Sequence, residues 1–106
     1  MSRYQAMFER LGNRGVFGAF VMLGDPGLET SAAILDALVE GGADMLEVGI
    51  PFSDPVADGP VIQAAAERAL RQGATPAQCF ELLRAFRARH PNVPVGILTY
   101  ANIVLA

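Results

Sequence analysis

The sequence predicts an α/β fold built on a parallel sheet, and two observations carry that prediction. Helical and strand-like apolar patterns alternate along the 106 residues in the order α, β, α, β, α, α, β. Strands separated in this way by helices join through right-handed parallel crossovers. An open three-strand parallel sheet would leave two bare edges. A closed (β/α)8 barrel has none, but it takes ~250 residues. The expected architecture is therefore the first three or so βα units of a (β/α)8 barrel. Residues 1–106 would form an incomplete N-terminal segment of a single domain.

Each element has its own signal. Tyr4, Met7, Phe8 and Leu11 fall at i, i+3, i+4 and i+7, the apolar stripe of a short helix. Gly12 and Gly15 are placed to end it. Val16 to Leu23 is a continuous apolar run, of the kind a parallel sheet buries on both faces. Gly24-Asp25-Pro26-Gly27 is a turn. A helix is expected from about Glu29 to Glu40, with Ile34, Leu35, Leu38 and Val39 on its buried side and Gly41 and Gly42 at its end. Met45 to Ile50 reads as the second strand. Residues 51–59 are too rich in Pro and Asp to be anything but a loop. Pro60 suits the first turn of a third helix reaching about Gln72. Thr75 caps a fourth that opens at Pro76, carries Cys79, Leu82 or Leu83, and Phe86 inward, and stops before His90-Pro91. Val93 to Tyr100 is the third strand, and residues 101–106 are placed to start another helix.

Composition removes several function classes. Hydrophobic residues make up 52% and charged residues 18%, too apolar a balance for a disordered chain. Net charge is −3, and the eight basic residues are all Arg and scattered, so nucleic acid and anionic lipid have no basic patch to meet. The longest apolar run falls far short of the ~20 residues of a bilayer span. With no signal-like N-terminus and one cysteine, Cys79, the expected setting is cytoplasmic, without a disulfide framework.

Few residues are placed for chemistry. In Met45-Leu46-Glu47-Val48-Gly49-Ile50, Glu47 shares a face with Met45 and Gly49, while Leu46 and Val48 take the other. A carboxylate inside a strand is costly to bury ionised, and such an environment suits a general acid or base near neutral pH. It also stands near the C-terminal end of a parallel strand, where barrel enzymes place their sites. Asp54 and Asp58 lie on the loop leaving that strand. Each alone is most simply a turn or capping residue. Glu47 with Asp58, at one strand end, could form a pair with separated protonation behaviour. Asp25 is most simply a turn residue, Phe20 and Leu98 core, His90 structural, and Cys79 a small core side chain. Tyr100 ends a strand, and its hydroxyl could reach a site there. No His/Cys cluster has metal spacing, and no glycine pattern matches a P-loop or dinucleotide fingerprint.

The run Leu46-Glu47-Val48-Gly49-Ile50-Pro51-Phe52-Ser53-Asp54-Pro55-Val56-Ala57-Asp58-Gly59-Pro60 resembles the signature of the tryptophan synthase α chain family. Leu23-Gly24-Asp25-Pro26-Gly27, Thr75-Pro76-Ala77-Gln78-Cys79-Phe80 and Tyr100-Ala101-Asn102 resemble it too, so the likeness covers essentially the whole chain. The resemblance implies a (β/α)8 barrel that pairs with a pyridoxal-phosphate β chain as α2β2. It implies retro-aldol cleavage of indole-3-glycerol phosphate to indole and glyceraldehyde 3-phosphate, a lyase step of tryptophan biosynthesis. No metal or organic cofactor is implied on the α chain. By correspondence, Glu47 is the acid/base at the indole ring carbon and Asp58 the carboxylate at the indole N–H. Phe20, Leu98 and Tyr100 surround the indole, and Asp54 faces the β chain. The family's phosphate loops come late in the barrel and correspond to nothing before Ala106. Two alternatives remain at this stage: a non-catalytic barrel segment that at most docks on a β chain, and a stand-alone indole-glycerol-phosphate lyase.

Overall fold

The computed structural model describes residues 2–51 and 59–98. The elements are α1 (Arg3–Leu11), β1 (Gly18–Met22), α2 (Leu28–Glu40), β2 (Met45–Gly49), α3 (Pro60–Arg71), α4 (Pro76–Arg89) and β3 (Val95–Leu98). The strands form one parallel sheet in the order β1-β2-β3. Two helices lie between β2 and β3, as the paired Pro60 and Thr75-Pro76 signals predict. Both α1 and α4 open with a reciprocal cap: the Ser2 and Thr75 hydroxyls accept from the Gln5 and Gln78 N–H groups, whose side chains accept in return.

One sheet face is sealed. Val21, Leu46 and Val48 point to the side where Leu35 of α2 and Cys79 and Phe86 of α4 pack, forming a single apolar cluster. Leu35, Leu46, Val48 and Phe86 are at most 1% exposed, and burying side chains of that size stabilises the fold by ~1.5–3 kcal/mol each. Leu46 and Val48 alternate with Met45, Glu47 and Gly49, so the strand period alone assigns the faces.

The opposite face is open, which corrects three expectations. β1 is not buried on both sides: Phe20 is 37% exposed, and Val16 and Phe17 before it are 39% and 52% exposed. Phe20 and Leu98 therefore do not fill core in this structure, since Leu98 is 55% exposed. The α1 stripe divides, with Met7 and Leu11 buried but Tyr4 and Phe8 exposed. Helical spacing predicts which side chains share a face, not whether anything covers them.

Several loops differ from the sequence reading in detail. Gly12 takes φ +60 as the cap of α1, whereas α2 closes on Gly41 in a right-handed conformation, and the positive φ falls on Gly42. The α1–β1 segment is tied to β2's start by Asp44, whose carboxylate accepts from the Phe17 N–H at 2.9 Å and from Arg14 at 3.3 Å. At the other end of the sheet Gly24 turns with φ +87, and a Cβ there would lie 2.6 Å from Ala74 Cβ and 3.2 Å from Ala69 Cβ. The turn from β1 into α2 is thus pressed against α3 and its exit. The extra helix α3 seals this end through Ala65, Ala66 and Ala69, which cluster with Met22. The segment expected to begin a further helix, 101–106, lies outside the described residues.

Candidate functional site

Register builds the site on the open face. Phe20, Glu47 and Gly96 are direct neighbours across the three strands, and Met22, Gly49 and Leu98 form the next row toward the strand C-termini. Parallel pairing with this register puts all six on one face. Glu47 is therefore flanked by an aromatic ring on one side and a bare backbone on the other.

The two glycines shape this surface. A Cβ on Gly49 would meet Phe20 Cζ at 3.0 Å, Met22 Cε at 2.9 Å and Met22 Sδ at 3.1 Å. Phe20 and Met22 thus lean over Gly49 into space that any side chain there would take. A Cβ on Gly96 would lie 3.8 Å from Glu47 Cγ and 3.2 Å from the Tyr4 hydroxyl. The Glu47 stem lies beside Gly96 of β3, and the Tyr4 hydroxyl reaches the same spot from α1. Glycine in a strand interior marks a close approach of other groups, and both positions here fit that rule.

Glu47 is exposed rather than buried, which corrects the expectation of a desolvated carboxylate. The physical reason is the open face: among the described residues, no layer covers Phe20, Glu47 or Leu98. The Glu47 side chain also makes no ion pair or hydrogen bond with any described residue. The other carboxylates expected near it, Asp54 and Asp58, lie outside the described residues, as does Tyr100. The structure therefore brings Glu47, Phe20 and Leu98 to one face.

Three further groups fix the surroundings, and two of them escape a sequence reading. Asp25 is more than a turn residue: its carboxylate accepts from Arg68 Nε at 2.9 Å and Nη2 at 3.0 Å, a two-pronged pair between the β1–α2 turn and α3. Ser31 is fully buried in α2. Its hydroxyl accepts from the Gly24 N–H at 3.1 Å and donates to the Leu28 carbonyl at 3.0 Å, closing the same turn. A serine on the inward side of an otherwise apolar helix is the one signal that could have found it. His90 is structural as expected. Its Nε2 lies 2.8 Å from Asp36 on α2, and its ring stacks on Phe86 at 4.7 Å. Desolvation works to raise the Asp36 carboxyl, but the bonds from His90 and Arg89 outweigh it and hold it below the ordinary value. Cys79 is fully buried, and burial pushes its thiol up to about 11, which makes it core rather than nucleophile.

Among the described residues, no three His, Cys, Asp or Glu side chains are grouped to hold a metal ion, and no helix is long and apolar enough to cross a membrane. The arrangement offers one unpaired carboxylate beside an aromatic ring, at the centre of the middle strand of a parallel sheet. That combination can donate or accept a proton at a flat apolar ligand resting against Phe20.

Comparison with known proteins gives this face a family. The tryptophan synthase alpha chain family model matches residues 8–106. The curated tryptophan synthase alpha chain of Klebsiella pneumoniae strain 342 is 61% identical over 108 aligned residues, covering 100% of this chain and 40% of its own length. That of Escherichia fergusonii is 60% identical over 106 residues, covering 98% and 40%. The crystal structure of tryptophan synthase subunit alpha from Legionella pneumophila superposes with a TM-score of 0.92 at 37% identity, covering 99% of this chain and 41% of that one. Tryptophan synthase from M. tuberculosis, in an aminoacrylate-bound form, superposes at 0.87 with 36% identity, covering 99% and 43%. The chain spans about 40% of the length of the curated relatives it matches. With its family model, its close relatives and its parallel α/β fold all in agreement, the chain belongs to the tryptophan synthase alpha chain family.

Proposed function

We propose that residues 1–106 form the first part of a single (β/α)8 barrel that cleaves indole-3-glycerol phosphate to indole and glyceraldehyde 3-phosphate, with Glu47 as the acid/base. The observation that supports this most is the row Phe20–Glu47–Gly96: a carboxylate without a partner among the described residues, beside an aromatic ring and a glycine gap. Glu47 in its acid form gives a proton to the indole carbon that bears the glycerol phosphate chain. The ring becomes a cation, and Asp58, at the indole N–H, offsets that charge. The bond between the ring carbon and the hydroxyl-bearing carbon then breaks. Its electron pair restores the aromatic ring, and the hydroxyl proton returns to Glu47 as the aldehyde forms.

Phe20, Leu98 and Tyr100 hold the indole flat against the sheet, and closure of the barrel over this face supplies the desolvation that an acid needs. The substrate phosphate is held by later barrel loops, so this segment supplies the proton chemistry and not the phosphate site. Asp54, on the loop leaving β2, contacts a β chain, which takes up the indole in an α2β2 complex. No cofactor enters on this chain.

The test is indole release by the full chain that carries these residues, assayed with and without β chain. Glu47→Gln lowers kcat ~10²–10⁴-fold while leaving the unfolding midpoint unchanged. Wild-type kcat in that variant overturns the assignment. Equal turnover with and without β chain replaces the paired enzyme with a stand-alone lyase.

A further inference from the structure

A polar cavity lies at the opposite end of the sheet from the strand C-termini. It is about 480 Å³ in volume, against the ~30 Å³ share of one water, and sits among the N-terminus of α1, the α4–β3 turn and the start of β3. Ser2, Arg3, Tyr4, Arg87 and Asn92 line it, and among the described residues no carboxylate does.

Both arginines are held by backbone carbonyls. Arg3 Nε donates to the Pro91 carbonyl at 2.6 Å. Arg87 Nη1 donates to the carbonyls of His90 at 3.0 Å and Val93 at 2.6 Å. Each guanidinium has five N–H groups in a fixed fork, so these bonds set its plane and leave the remaining donors without an acceptor among the described residues. Arg87 is half-buried. Burial first, and then the charge of Arg3, push its pKa down, the mark of two like charges near each other with no anion between them.

We infer that this cavity is a site for a small free oxyanion of the phosphate class, bound between Arg3 and Arg87 with the Asn92 amide beside it. Two guanidiniums fixed in advance lose little entropy on binding, and an anion removes their mutual repulsion. The cavity lies at the N-terminal end of the strands and shares Tyr4 with the Gly96 gap beside Glu47, while none of Phe20, Glu47 or Leu98 lines it.

The test is a titration of the full chain with inorganic phosphate at constant ionic strength, followed by NMR of the backbone amides, the arginine Nε–H groups and the Asn92 side-chain amide. Saturable shifts at Arg3, Arg87 and Asn92 are expected. Arg3→Gln weakens binding by about tenfold. Arg84→Gln, which removes only an exposed arginine paired with Glu81, leaves it unchanged. Absent or unsaturable shifts overturn the inference, as does full affinity in Arg3→Gln. Shifts confined to Phe20, Gly49 and Leu98 also overturn it, because they put the anion at the other end of the sheet.

Discussion

Gly24→Ala is the sharpest test of how this segment holds its shape. Two separate penalties meet at that position. The backbone stands at φ +87, where an L side chain is disfavoured by ~1–2 kcal/mol. The new methyl would also sit 2.6 Å from Ala74 Cβ and 3.2 Å from Ala69 Cβ, both short stubs that cannot swing aside. Relief must come from backbone movement of α3 or of its exit, and overpacking of that kind costs ~1–3 kcal/mol. Together the expected loss is about 2–5 kcal/mol. Urea unfolding of the full chain, followed by circular dichroism, reads it as a fall in midpoint of about 1–2.5 M for a slope of about 2 kcal/mol/M. The two penalties separate in a double-mutant cycle. Ala74→Gly removes the 2.6 Å neighbour but not the dihedral strain, so the pair should couple by ~1–3 kcal/mol. A loss below about 0.5 kcal/mol, or strict additivity of the two substitutions, refutes the reasoning.

Other outcomes follow from single contacts. Gly49→Ala meets only the mobile ends of Phe20 and Met22. It should therefore barely move the unfolding midpoint while displacing the Phe20 ring, read as a higher KM in the lyase assay. Cys79, with its thiol pushed up to about 11, holds about one thiolate in a thousand at pH 8. Iodoacetamide should label it only as the chain unfolds. Because the unfolded thiol ionises first, near 9, that residue's contribution to stability should fall as pH rises from about 9 to 11. Asp36 behaves in the opposite sense. Its carboxyl is held low when folded, so its contribution is present above its ordinary value of 3.8 and disappears as pH falls through the lower folded value. Asp36→Asn should flatten the acid limb of a stability–pH curve below about pH 4.

The element order, the Thr75 cap, the alternation of Leu46 and Val48 against Glu47, and the acidic run after β2 follow from the amino-acid sequence by itself. Strand and helix periods sort side chains between faces without reference to anything distant, which is why Leu46 and Val48 separate correctly from Glu47. The family, too, was legible in the run from Leu46 to Pro60. Tertiary structure decided what a period cannot encode. Register placed Phe20, Glu47 and Gly96 in one row. Glu47 proved exposed because burial depends on what lies across the sheet, and nothing within its own strand specifies that. The Asp25–Arg68 pair, 43 residues apart, and the seat of Gly24 against Ala69 and Ala74 arise only when the β1–α2 turn meets α3. Local sequence determines which groups a segment presents, and the close approach of distant backbones determines which of them meet.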